Sequence, residues 1–135
     1  MAICVLDTDV LIAALDRRDA HHAQAREAFG RFASGGTELV ICTINYAEAL
    51  VRPAEEERNL RAAVDAIASL GIRKSSPDAA TARLAARRRA LGVSLADGFA
   101  IATAERLGAE LASFDRRVRR ALAEVEPQLS AALSD

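Results

Sequence analysis

The sequence predicts an α/β fold, a three-layer α/β/α sandwich with a mostly parallel central sheet. Two short runs, ICVL at 3–6 and LVIC at 39–42, are apolar on both faces and rich in β-branched residues. That is the pattern of parallel strands covered by helices on either side. Longer helical stretches separate the runs, so strands and helices alternate along the chain. Glycines at 71, 92 and 108 and a proline at 77 punctuate that alternation where helices end or begin.

Taken in order, the first strand leads directly into Asp7 and a helix over 9–16. A helix over 20–34 returns the chain to the second strand, and helices over 44–52 and 56–70 follow. A third strand is expected near 71–74 (GIRK), then helices over 78–91 and 95–107. The fourth strand is expected at 110–114 (ELASF), and a last helix over 116–124 opens in an arginine-rich segment. The tail beyond Pro127 carries no readable pattern. With 135 residues and neither repeat nor linker, the chain reads as one domain, 1–135, long enough to bury a core.

Composition narrows the function classes. Apolar residues make up 51% of the chain, yet no run reaches the roughly 18 apolar residues of a membrane span. No basic stretch followed by an apolar region and a cleavage site opens the chain, so the expectation is a soluble cytoplasmic protein without membrane contact. The net charge of −1 does not advertise nucleic-acid binding. Every basic residue but Lys74 is arginine, clustered at Arg87–Arg89 and at Arg116, Arg117, Arg119 and Arg120. Such clusters are either solvated faces or forks for phosphate oxygens. The absence of Trp and 4% aromatics argue against a base-stacking platform. Cys4 and Cys42 lie in apolar runs with no His or Cys at metal-ligand spacing, and read as small buried apolar residues.

The informative residues are acids. In open α/β folds the functional crevice lies beyond the carboxyl ends of the strands. Asp7 ends the first strand, Asp9 is two residues on, and Asp115 ends the fourth strand in "ELASFD". Glu48 lies one turn past the second strand in "ICTINYAEAL", and Asp97 opens the helix of "SLADGFAIATAERLG". Helix capping is an alternative reading for Asp9 and Asp115, and Ser94 with Asp97 has the spacing of a capping box. Asp7 differs, because a carboxylate at the end of a buried strand is destabilising unless paired or coordinated. Glu48 is mid-helix among Ile44, Ala47, Leu50 and Val51, where a cap is impossible. Two carboxylates about 4 Å apart repel by roughly 4 kcal/mol at an effective dielectric near 20. Several converging would need a cation, and oxygen ligands suit Mg²⁺ or Mn²⁺. The matching chemistry is metal-assisted phosphodiester hydrolysis.

The ordered set "VLDTDVLIA", "TINYAEAL", "SLADGFAIATAERLGAEL" and "SFD" resembles the PIN-domain nucleases, and within them the VapC-type toxins of bacterial toxin–antitoxin pairs. The resemblance runs from about residue 3 to about 118, and its strength lies in four motifs in order. It implies that Asp7, Glu48, Asp97 and Asp115 are the catalytic metal ligands. Thr8, Asp9, Thr43 and Ser113 would support them, and Arg116, Arg117 and Arg87 are candidate contacts to RNA phosphates. It further implies a ribonuclease using Mg²⁺ or Mn²⁺, a homodimer, and a cognate antitoxin covering the acidic pocket. Asp9 stands where the family commonly carries Asn or Ser, so its role as ligand, support or cap stays open, and the RNA cleaved is not readable from the chain.

The opening stretch also resembles the first motif of haloacid-dehalogenase-type phosphatases, with Asp7 as nucleophile and Asp9 as general acid/base. Thr43, Lys74 and Asp115 could serve such a site. Against it stand the length of the chain, Arg116 where a second acid is expected, and the lack of a task for Glu48 and Asp97. A PIN-like module that binds RNA or a partner without cutting is the third alternative.

Overall fold

The computed structural model describes residues 2–133. Four strands form a fully parallel sheet: β1 (Ile3–Leu6), β2 (Glu38–Cys42), β3 (Arg73–Ser75) and β4 (Glu110–Ala112), in the spatial order β3-β2-β1-β4. β1 lies at the centre, with Val5 opposite Val40 of β2 and Leu111 of β4. Seven helices connect and cover the strands: α1 (Thr8–Leu15), α2 (His22–Gly35), α3 (Thr43–Leu50), α4 (Glu57–Ser69), α5 (Ala79–Arg88), α6 (Leu95–Leu107) and α7 (Arg116–Ala121). The predicted α/β architecture with a parallel sheet is therefore observed.

The period of two along each strand divides the core between the faces of the sheet. Cys4, Leu6, Leu39 and Ile41 pack with Val10 and Leu11 of α1, Phe32 of α2 and Ile67 of α4. Val5, Val40 and Leu111 pack with Ala100, Ile101 and Ala104 of α6 and Val118 of α7. Each large side chain among these is stabilised by about 1.5–3 kcal/mol on leaving water. Close approach of α5 and α6 requires Gly98, where a Cβ would lie 2.6 Å from the Ala85 carbonyl oxygen.

Several boundaries differ from the sequence expectation for definable reasons. The strand near 71–74 is Arg73–Ser75, with Arg73 and Lys74 exposed at the sheet edge. The strand expected at 110–114 stops at Ala112, whose carbonyl accepts from the Asp7 amide at 2.9 Å. Beyond it, the Phe114 amide turns to the Asp9 carboxylate at 3.1 Å instead of a neighbouring strand. The first helix begins at Thr8, because Asp7 and not Asp9 is its N-cap. The helices expected over 78–91 and 116–124 each tighten into a 3-10 turn at the end, over Arg89–Leu91 and Leu122–Glu124. The unassigned tail bridges β4 in parallel at Leu129, through Leu111 N to Gln128 O and Ser130 N to Leu111 O. Among the described residues, no helix is long and apolar enough to cross a membrane.

Candidate active site

The candidate acids lie near one another along the carboxyl edge of the sheet, where α1, α3, α6 and α7 begin. Asp7 is 1% exposed. Its carboxylate accepts from the Thr8 amide at 2.8 Å and from Ser113 Oγ at 2.7 Å. Two adjacent strand ends are thereby joined, since Ser113 follows β4 as Asp7 follows β1. Burial holds the Asp7 carboxyl well above its usual range, and the charges of Asp9 and Asp97 push it further. Asp9 is raised to about 6, chiefly by burial; the Phe114 amide opposes this, and the charges of Asp115 and Asp97 add to it.

Asp97 is half-buried in the first turn of α6. Ser94 Oγ accepts from its amide at 3.1 Å, and its own carboxylate accepts from Ser94 N at 3.4 Å, completing the capping box. Its proton affinity is raised, first by burial, with Asp115 and Glu48 adding to it against the Ser94 hydrogen bonds. The repulsions therefore run unbroken from Glu48 through Asp97 to Asp7, Asp9 and Asp115. Asp115 caps α7, accepting from the Arg117 amide at 2.7 Å and the Val118 amide at 3.2 Å. Its own amide donates to Ser113 Oγ at 3.1 Å. Capping and membership of the acidic cluster are thus compatible at Asp97 and Asp115.

Glu48 is exposed, and so are its apolar neighbours Ile44 and Val51; the residues α3 buries are Asn45 and Ala49. Thr8 Oγ1 donates to Glu48 Oε1 at 2.6 Å, reaching from α1 to α3. Thr43, expected to support the acids, is half-buried at the start of α3, and its hydroxyl makes no hydrogen bond among the described residues. The hydroxyl holding Glu48 is that of Thr8. Asn45, not anticipated from sequence, donates to both Thr8 Oγ1 and Ala96 O. The available signal was an amide two residues after Thr43, three before Glu48, in an otherwise apolar helix.

The donor set is all oxygen, five carboxylates with two hydroxyls among them, which suits a hard divalent cation. Among the described residues, no three acid, His or Cys side chains are gathered closely enough to enclose an ion as they stand. The carboxylates are instead spread over caps and hydroxyl contacts, as uncompensated like charges are. Of the arginines, Arg116, Arg117 and Arg87 are exposed, while Arg119 Nε donates to the Ser113 carbonyl at 2.8 Å. His21, exposed, stacks on Phe114 with ring centroids 4.4 Å apart.

The fold is shared with known proteins. The model of the PIN domain family matches residues 4–123. No curated protein matches the chain. Among solved structures, VapBC2 from Rickettsia felis, bound to a promoter DNA fragment, is similar at 15% identity with a TM-score of 0.74, over 95% of this chain and 97% of that one. VapC20 of Mycobacterium tuberculosis, a Sarcin-Ricin loop cleaving toxin, is similar at 20% identity and a TM-score of 0.68, over 92% and 99%. A toxin-antitoxin complex from Klebsiella pneumoniae gives 18% identity and a TM-score of 0.69, over 96% and 97%. The haloacid-dehalogenase reading loses its supports: Asp9 is tied to the Phe114 amide, and Lys74 lies over the Tyr46 ring. The matched segment reaches from the first strand past every candidate acid, and the chain belongs to the PIN domain family.

Proposed function

We propose that residues 1–135 form one PIN domain that acts as a metal-dependent ribonuclease, the toxin of a toxin–antitoxin pair. Asp7 carries the reading: a carboxylate buried to 1% exposure whose ionisation is opposed by burial and by two neighbouring acids. Such a group calls for positive charge, and Mg²⁺ or Mn²⁺ fits the all-oxygen donors. Asp7, Glu48, Asp97 and Asp115 would hold it, with Thr8, Asp9 and Ser113 supporting them. Bound there, such an ion supplies an acidified water and charge neutralisation for hydrolysis of a phosphodiester.

The chain's own residues orient the site. Ser113 and the Thr8 amide fix Asp7, the Thr8 hydroxyl fixes Glu48, and the capping box fixes Asp97. Arg116 and Arg117, exposed beside Asp115, would take RNA phosphates, and Arg87 on α5 would extend that surface. The structural likeness to a loop-cleaving toxin and to a toxin-antitoxin complex supports the toxin role and a cognate antitoxin, acting in the cytoplasm. A groove of about 640 Å³ adjoins Glu48, with Ile12, Leu15, Ala49, Ala63 and Ala66 as its apolar lining. Its position beside the acids supports it as the seat of an apolar antitoxin segment whose continuation covers them. Exposed Ile44, Val51 and Leu95 are the apolar surface that a homodimer would cover.

The test is inducible expression of wild type, Asp7→Ala and Asp97→Asn, with sequencing of the RNA 5′ ends produced. New ends are expected from wild type alone, and purified wild type should lose cleavage in EDTA. Undiminished cutting in EDTA, or by Asp7→Ala, would falsify the mechanism. RNA binding without any cleavage would leave the non-cutting module as the better account.

A further inference from the structure

Asn45 is fully buried in the first turn of α3, where its amide contributes no apolar burial. Its amide nitrogen donates to Thr8 Oγ1 and to Ala96 O, both at 3.1 Å. Among the described residues, its Oδ1 is buried without a hydrogen-bond partner. An orphaned buried acceptor is destabilising, so what the side chain contributes lies in its two donor contacts. The amide cannot reverse, because flipping it would set Oδ1 against the Ala96 carbonyl oxygen, acceptor against acceptor.

This orientation settles the direction of the next hydrogen bond. With an N–H already filling a lone pair of Thr8 Oγ1, the hydroxyl proton is free to donate elsewhere. Glu48 Oε1 lies at 2.6 Å and the Asn45 carbonyl at 3.4 Å. The shorter distance makes the carboxylate the acceptor of the hydroxyl proton. Among the described residues, Oε1 is the one Glu48 oxygen in a hydrogen bond, which leaves Oε2 open. The contacts of Asn45 span three elements: Thr8 beside Asp7 in α1, Asn45 itself in α3 with Glu48, and Ala96 beside Asp97 in α6.

We propose, resting on the metal-dependent reading above, that Asn45 is a positioning residue. Through Thr8 it holds Glu48 as an acceptor at Oε1, keeping Oε2 for a divalent cation, and through Ala96 it sets the turn that carries Asp97. Asn45→Leu keeps the branched four-atom outline of the side chain and removes the orphaned oxygen, although its methyl groups are bulkier than the amide they replace. Thr8→Val cuts the same relay from the other side and carries the test if the first variant does not fold.

The experiment measures Mn²⁺ affinity by calorimetry, alongside RNA cleavage, for wild type, both single variants and the double variant. Each single change should weaken Mn²⁺ binding about tenfold, as loss of an orienting partner does. The double variant should lose clearly less than the product of the two, since links of one chain are not additive. Wild-type Mn²⁺ affinity in either single variant, or losses that multiply in the double, overturns the proposal while leaving the ribonuclease reading intact. A wild-type protein that neither binds Mn²⁺ nor cuts RNA overturns both.

Discussion

Ser113 Oγ donates to Asp7 Oδ2 at 2.7 Å while accepting the Asp115 amide at 3.1 Å. One hydroxyl therefore joins the ends of two neighbouring strands and touches two of the candidate acids. Its single proton goes to Asp7, because the Asp115 N–H already occupies its acceptor side. Ser113→Ala leaves the buried carboxylate with the Thr8 amide alone, and hydrogen bonds to charged groups are worth roughly 1.5–3 kcal/mol. Urea denaturation at neutral pH should show a loss of about 2 kcal/mol. An unchanged midpoint would mean that Asp7 finds another donor and that Ser113 is dispensable.

Stability in EDTA should rise as pH falls. Asp7 and Asp9 are raised above their unfolded values, so the native state binds more protons than the unfolded chain. Their stabilising contribution is fully present below the unfolded pKa of 3.8 and is lost as pH climbs through the folded value, about 6 for Asp9. Asp16 and Asp78 are lowered, and their opposite dependence falls below pH 3.8, outside the window. Between pH 7.5 and 5.5, Asp9 alone contributes about 1 kcal/mol, or a few degrees in Tm. Asp9→Asn should flatten the profile, and Mn²⁺ should raise Tm more at pH 7.5 than at 5.5. A Tm that falls on going from pH 7.5 to 5.5 contradicts the assignment.

Gly98 follows Asp97, and the Ala85 carbonyl oxygen lies 2.6 Å from where its Cβ would be. Backbone cannot yield as a flexible side chain would, so Gly98→Ala must push α6 away from α5. Overpacking of this kind is destabilising by about 1–3 kcal/mol, although alanine is the better helix former. Because Asp97 and Ala96 ride on the displaced turn, cleavage should fall together with Tm. A more stable, fully active Gly98→Ala protein would show that the two helices part without moving the acid.

The central strands were legible because ICVL and LVIC are buried on both faces, whereas β3 was displaced because Arg73 and Lys74 sit exposed on a sheet edge. Asp97 and Asp115 were legible as caps, and the capping geometry occurs among the clustered acids. Asn45 was invisible because its role depends on Thr8 and Ala96, 37 and 51 residues away. Nor could the sequence tell which hydroxyl meets Glu48: Thr43 is five residues from it and Thr8 forty, yet the hydrogen bond comes from Thr8. Gly98 was hidden among small residues, since only the packed α5 shows what it admits.

The arginines after Asp115 should divide by role. Arg119 is turned inward to the Ser113 carbonyl at 2.8 Å, so Arg119→Ala should lower stability and loosen the β4 end. Arg116 and Arg117 are exposed on the first turn of α7, which Asp115 caps. Their replacement by alanine should leave stability within about 0.5 kcal/mol. Each should raise KM for RNA and reduce the dependence of log Kd on log salt by about one contact, near 0.7 for single strands. Binding is best measured with Asp97→Asn as the background, so that the RNA stays intact. If Arg116→Ala and Arg117→Ala both keep the wild-type salt slope while Arg119→Ala lowers it, the phosphate contacts lie on the inward residue and the division is reversed.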